Sequence, residues 1–135
     1  MKLTDKLKPS ASKVTIPQLV AELLEAVLIV HKMHLQAKSR SYAEHVALGE
    51  FYDAIGDFAD DIYEQFAGQT STVDIPDAML YDINPITYLE KLAKFVEQVR
   101  NNSVEYSHLQ NQMDEVKSLI YGTLYKLKYL KWREL

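Results

Sequence analysis

The chain has 135 residues, of which 47% are hydrophobic and 25% are charged, and it contains no cysteine. This length predicts one domain that can bury a core of its own. The absence of cysteine excludes disulfides, thiolate catalysis and cysteine-ligated metal sites, which leaves His, Asp and Glu as metal ligands. The formal net charge of −4 gives no overall attraction to nucleic acids or anionic membranes.

The first fourteen residues are predicted to form a flexible basic tail, followed by a single domain over residues 15–135. The tail carries four lysines, Lys2, Lys6, Lys8 and Lys13, and lacks the apolar centre of a secretory signal. The longest apolar-rich stretch, Ile16 to Leu35, is interrupted by charged residues and histidines that a membrane span would not tolerate. We therefore expect a soluble, cytoplasmic protein without a membrane partner.

Sparse Gly and Pro and apolar residues at steps of three and four predict an all-α fold with four amphipathic helices. Thr15 is the expected N-cap of the first helix, which starts at Ile16 or Pro17 and reaches about Ala37. The second helix is predicted from about Tyr42 to Ala67, with Gly68 as its terminator.

Asn84 followed by Pro85 predicts the start of the third helix, because Asn caps free amides and Pro needs no amide partner. This helix is expected to end at Asn101 and Asn102, and Ser103 is expected to cap the fourth. Four such helices pack most economically as a four-helix bundle.

The connection between the second and third helices, Gly68 to Ile83, is much longer than the other two. An extended chain of this length can run along a whole helix, so the connection predicts a crossover and hence a ferritin-like bundle. Residues Ile75 to Asp82 could form a short helix within it. A surface loop in an ordinary bundle is the alternative.

Two groups of metal-ligating residue types lie in the first half of the chain. His31 and His34 share one side of the first helix, and His45 begins the second. The second helix also carries an acidic row beside its apolar stripe, Asp53, Asp57, Asp60 and Glu64. A solvated acidic face would explain this row equally well.

Gly49 and Gly56 lie seven residues apart inside the second helix and therefore share one face. Each costs about 1 kcal/mol relative to Ala within a helix. Their use is to let a neighbouring helix or a bound group approach the backbone closely. Tight packing within the bundle or in a dimer would serve equally well without any metal.

His34, His45, Asp60 and Glu64 resemble the ferroxidase signature of the Dps family, the DNA-protecting mini-ferritins. The resemblance rests on the spacing, fifteen positions from His45 to Asp60 and four more to Glu64, and covers mainly residues 16–68. Residues 41–53 are also similar to uncharacterised Dps-like proteins from bacteriophages. Two positions differ from the usual Dps pattern: Leu35 replaces a Trp, and Gly49 replaces an acid.

The resemblance implies a pair of irons between two-fold related subunits, with His34 and His45 from one chain and Asp60 and Glu64 from the other. His31 and Asp57 are candidate accessory ligands. The implied activity is iron oxidation by a ferroxidase coupled to iron storage, and Zn²⁺ or Mn²⁺ could replace iron at such ligands. The implied assembly is a homo-oligomer, from a dimer to a dodecameric shell, in the host cytoplasm if a phage encodes the protein.

Two other functions remain open from the sequence. One is a non-catalytic helical interaction or structural protein, in which the His and acidic residues serve packing. The other is non-specific DNA binding through the tail lysines Lys2, Lys6, Lys8 and Lys13, which would neutralise phosphates without reading sequence. A second basic cluster near the C-terminus, Lys126, Lys128, Lys131 and Arg133, lies among aromatic residues and is explained by the dipole of the last helix.

Overall fold

The structure is a computed structural model that describes residues 14–37 and 41–130. Within these residues it contains four α-helices and no strand, which confirms the all-α prediction. The helices are α1 (Ile16–Gln36), α2 (Tyr42–Gln69), α3 (Pro85–Asn101) and α4 (Ser107–Tyr129). The four lysines of the predicted basic tail lie outside the described residues.

Side-chain caps fix the starts of α1 and α3. The Thr15 hydroxyl oxygen accepts a hydrogen bond from the Gln18 amide at 3.2 Å. The Asn84 side-chain oxygen accepts from the amides of Ile86 and Thr87 at 2.9 and 3.1 Å. Both predicted N-caps are therefore confirmed, and each satisfies amides that have no partner within the helix.

Two other predicted boundary residues have different roles. Gly68 lies inside α2 with ordinary negative φ, and the helix continues to Gln69. The hydroxyl of Thr70 then donates to the Phe66 carbonyl at 2.7 Å and so satisfies a carbonyl in the last turn of the helix. Ser103 is buried and donates its hydroxyl to the Val99 carbonyl at 2.6 Å, so it closes α3 instead of capping α4.

The core lies between the apolar stripes of all four helices. The helix period predicts apolar stripes in α3 and α4, and every residue of both is buried: Leu89, Leu92, Val96 and Val99 in α3, and Leu109, Met113, Val116, Ile120, Leu124 and Leu127 in α4. Most residues of the stripes predicted for the other two helices are also buried: Ile16, Val20, Leu23 and Val30 in α1, and Leu48, Phe51, Ile55 and Ile62 in α2. In α2, Phe58 and Phe66 are only partly buried at its margin. None of the four described helices is long and apolar enough to cross a membrane.

Ion pairs at one end of the molecule indicate the relative directions of the helices. Near the C-terminal end of α4, Lys126 pairs with Glu50 of α2 at 2.9 Å, and Lys128 pairs with Glu90 of α3 at 3.2 Å. Both partners belong to the N-terminal halves of their helices. The helix α4 therefore runs antiparallel to α2 and α3.

The connection between α2 and α3, residues 70–84, has no helix, so the short helix considered over Ile75–Asp82 is not formed. Instead the segment is held against α1 by side-chain hydrogen bonds. Gln18 donates its side-chain amide to the Asp77 carbonyl at 2.9 Å. Backbone groups of the connection thus form hydrogen bonds with side chains of α1, instead of with one another in a helix.

Glu22 of α1 is the main anchor of this connection. Its side chain is only 1% exposed. Its carboxylate accepts from the amides of Met79 and Leu80 at 2.9 and 3.0 Å and from the Gln18 side chain at 2.7 Å. A buried carboxylate is tolerated only with such donors around it.

Tyr88 of α3 is fully buried near this cluster. Its hydroxyl has no hydrogen-bond partner among the described residues. Burial raises the pKa of Tyr88 far above its usual value, and the negative charges of Glu22 and Glu25 raise it further. The hydroxyl therefore stays protonated at any physiological pH.

Candidate metal centre

The end of α1 and the start of α2 lie side by side and bring two of the predicted ligands together. His34 is in the last turn of α1, and His45 is in the first turns of α2. Their imidazole rings stack with centroids 3.7 Å apart and planes inclined by 21°. Both side chains are half-buried, so the pair lies at the surface of the helical hairpin.

Reciprocal hydrogen bonds orient the two rings. The His34 Nδ1–H donates to the His45 carbonyl at 2.5 Å, and the His45 Nδ1–H donates to the His34 carbonyl at 2.9 Å. Because a carbonyl can only accept, each Nδ1 must carry the hydrogen. In a neutral ring this leaves Nε2 with a lone pair, which is the usual arrangement of metal-binding histidines.

Gly49 provides the space that His34 occupies. A Cβ atom at position 49 would lie 2.9 Å from His34 Cε1 and 3.0 Å from its Nδ1, closer than normal contact. The predicted close approach is therefore confirmed here, and the group that approaches is an imidazole. At Gly56 a Cβ atom would lie 3.5 Å from the nearest Val27 methyl carbon, an ordinary contact.

Aromatic rings extend the histidine pair in both directions. The His31 ring stacks on Tyr52 at 4.2 Å between centroids, and Tyr52 meets His34 edge-on at 5.4 Å. On the other side, Tyr42 lies 6.2 Å from His45. We did not predict roles for these tyrosines, although Tyr52 lies seven residues from His45 and hence on the same helix face.

The predicted carboxylate ligands lie elsewhere on α2. Asp53, Asp57, Asp60 and Glu64 are all exposed, on the face of α2 opposite its buried residues, so the expectation that the acidic row lies beside the apolar stripe is wrong. Asp60 and Glu64 are fifteen and nineteen residues beyond His45, which is about 22 and 28 Å along a helix. Consistent with this, no group of three His, Asp or Glu side chains that could hold a metal ion occurs within the described part of the chain. Within one chain, His34 and His45 therefore lie together, but Asp60 and Glu64 lie too far from them to bind the same metal ion.

The resolved pKa shifts of carboxyl groups lie away from this site. Arg100 holds the pKa of Asp114 below its usual value through a two-pronged hydrogen bond between α3 and α4, at 2.6 and 3.2 Å. Lys117 lowers the pKa of Glu97 in the same way. These ion pairs join the α3–α4 hairpin and leave the α1–α2 face to the histidines and the acidic row.

Comparison with known proteins gives one match. Residues 34–127, which include both histidines and most of the bundle, match the model of a family of unknown function, DUF5856. The chain therefore belongs to this family. No curated protein and no solved structure matches it.

Proposed function

We propose that this member of the DUF5856 family is a Dps-like iron-binding protein that oxidises and stores iron at a di-iron site between two subunits. The observation that carries the proposal is the reciprocal bonding of His34 and His45. Both hydrogen bonds use Nδ1 and backbone carbonyls, so in neutral rings each Nε2 keeps a lone pair for a metal ion.

The distance between the two ligand groups argues for a second copy of the chain. Asp60 and Glu64 lie too far along α2 to share an ion with His45 of the same chain. In a two-fold symmetric pair with antiparallel hairpins, the histidine end of one copy would face the acidic end of the other. Each dimer would then hold two equivalent sites.

An exposed stripe of α1 is suited to such a contact. Leu24, Leu28 and Leu35 are 40%, 50% and 68% exposed and, with His31, form one stripe along α1. His31, which lies in this stripe, stacks on Tyr52 of α2, so the stripe borders α2. Exposed leucines in a row are typical of a surface that another protein covers.

The course of residues 70–84 supports a ferritin-like topology. Because α4 pairs with the N-terminal halves of both α2 and α3, these two helices run in the same direction. A connection between two such helices would return along the bundle, and the hydrogen bonds of residues 77–80 to Gln18 and Glu22 support that path. One long crossover between the second and third helices is the arrangement of ferritin-like bundles.

The donor set suits iron as the substrate. Imidazole nitrogen and carboxylate oxygen bind Fe²⁺, and they also accept Zn²⁺ or Mn²⁺. In the proposed site His34 and His45 would position Fe²⁺, and Asp60 and Glu64 would stabilise the higher charge of Fe³⁺. Each Fe²⁺ gives one electron to peroxide or oxygen, and His31 and Asp57 are accessory ligands in this scheme.

A non-catalytic interaction protein is the second candidate. One observation favours it: the two histidine hydrogen bonds also tie the end of α1 to the start of α2, which is a structural role in itself. The DNA-binding proposal rests on Lys2, Lys6, Lys8 and Lys13, outside the described residues. Loss of gel retardation after deletion of residues 1–13 would test it.

The decisive experiment measures Fe²⁺ binding and peroxide-driven oxidation by wild type and two variants, His45→Ala and Glu64→Ala. Each variant alone should lose the activity. A mixture of the two, reassembled from separated subunits, should recover about a quarter of the wild-type sites, because mixed dimers keep one intact site. His108→Ala and Glu115→Ala, at exposed positions of α4, are the matched controls.

Three outcomes separate the candidates. Recovery in the mixture supports a site shared between subunits. Iron binding that is lost in both variants without recovery in the mixture would refute the shared site. If wild type and variants behave alike, the iron function is wrong and the interaction role is favoured.

A further inference from the structure

A short apolar groove lies between the start of α2 and the end of α4. Its volume is about 300 Å³, and it is lined by Tyr42, Ala43, Val46, Ala47, Glu50, Lys126 and Leu130. We call it the α2–α4 groove. The Lys126–Glu50 ion pair lies at its margin, and the rest of its lining is mostly apolar. Apolar concavities of this size bind a single large side chain well.

The chain itself supplies an occupant next to the groove. The helix α4 ends at Tyr129, and Leu130, the next residue, is part of the groove wall. The segment 131–135, outside the described residues, follows directly and contains Trp132. At about 3.3 Å per residue, Trp132 can lie within about 7 Å of Leu130. We propose that this segment folds back and seats Trp132 in the α2–α4 groove.

The amphipathic sequence of the segment suits the same placement. Lys131 and Arg133 flank Trp132. The one carboxylate in the groove lining, Glu50, is paired with Lys126, so the remaining lining is apolar and suits the indole. The indole would enter the apolar part of the groove while its basic neighbours remain at the solvent-exposed rim.

Other occupants fit less well. Seven residues line the groove, whereas a specific interface between two proteins usually involves about 20–30 residues on each side. The residues before Val14 join the opposite end of α1, about 32 Å from its last turn. The adjoining C-terminal segment has the shortest path to the groove and supplies a large apolar side chain, Trp132.

Trp132 is the single tryptophan of the chain, so its fluorescence reports directly on its surroundings. The experiment measures the emission maximum and acrylamide quenching of the full-length protein. The seated indole should emit at shorter wavelength than in the urea-unfolded protein and be quenched several-fold less efficiently. Ala43→Gln, which fills the groove, should move both values toward those of the unfolded protein.

Ala67→Gln is the matched control, because it makes the same change at the other end of α2. It should leave the emission and the quenching unchanged. Circular dichroism would establish that both variants are helical. An emission maximum of wild type equal to that of the unfolded protein, or no response to Ala43→Gln, would overturn the proposal. So would a shift that disappears on dilution, because the groove would then hold the segment of a second copy.

Discussion

The hydrogen bonds of Glu22 predict that replacing this side chain releases residues 77–80 from α1. The Glu22→Ala change removes the acceptor of the Met79 and Leu80 amides and of the Gln18 side chain. These donors then lack partners in the folded protein. We expect a loss of stability together with local opening of the connection.

The size of the loss follows from the same contacts. Hydrogen bonds to charged groups are worth about 1.5–3 kcal/mol each, but removing one shared partner does not cost their sum. Leaving a buried neutral donor without a partner costs about 1–3 kcal/mol. Because Met79 is itself exposed, water can reach its freed amide, so we expect about 3 kcal/mol in total for Glu22→Ala. Glu22→Gln retains one oxygen acceptor and should cost about 2 kcal/mol.

Urea unfolding followed by circular dichroism would measure the free energy of unfolding, and amide hydrogen exchange would report on Met79 and Leu80. Glu25→Ala is the matched control, since Glu25 is exposed on the same helix. It should change stability by less than about 0.5 kcal/mol. A loss below about 1 kcal/mol for Glu22→Ala, with unchanged exchange of the two amides, would refute the anchoring role.

Two further predictions concern other contacts. Gly56→Ala should stabilise the protein by about 0.5–1 kcal/mol, as expected for Ala in a helix, whereas Gly49→Ala should give no such gain and should weaken metal binding, because its methyl group displaces an imidazole. Urea unfolding and Fe²⁺ titration would check the pair, and equal effects would contradict it. The lowered pKa of Asp114 stabilises the fold above its ordinary value of 3.8, and this contribution is lost as pH falls through the folded pKa. Wild type should therefore exceed Asp114→Asn in Tm at pH 6 and lose that advantage on acidification; a difference independent of pH would contradict this.

Features set by neighbouring residues could be predicted from the sequence. Thr15 and Asn84 cap helices as expected, because each bonds to amides within three residues. Every residue predicted for the apolar stripes of α3 and α4 is buried, because the helix period alone determines which residues share a face. Tyr88 and Ala93 of α3 are also buried and were not predicted. The prediction for Ser103 is wrong because its hydroxyl can bond either to a carbonyl of the preceding helix or to an amide of the following one. In the structure it donates to the Val99 carbonyl of the preceding helix.

Features that depend on distant residues could not be predicted. Glu22 and Gln18 are polar residues on a buried face, and their partners lie more than 50 positions away. Periodicity alone would place polar residues of α1 in solvent. The connection is extended because these contacts on α1, and not its own sequence, provide its hydrogen bonds.

The candidate site was predicted in part. The sequence placed His34 and His45 near one another but left their distance open, since the packing of α1 against α2 determines it. The space at Gly49 was foreseen, although its occupant, the His34 ring, was not. The shared site with Asp60 and Glu64 stays a prediction, because it requires a second copy of the chain.

The Glu22 anchor also bears on how the chain is made. The hairpin of α1 and α2 leaves the ribosome before residues 77–80, at about 5–20 residues per second. Until residues 77–80 are synthesised, the Glu22 carboxylate lacks the Met79 and Leu80 amides as hydrogen-bond donors and must remain hydrated. The nascent hairpin of α1 and α2 therefore cannot bury Glu22 on its own. The first half of the protein depends on the second half to complete its folding. A fragment ending before residue 77 should accordingly be helical but loosely packed.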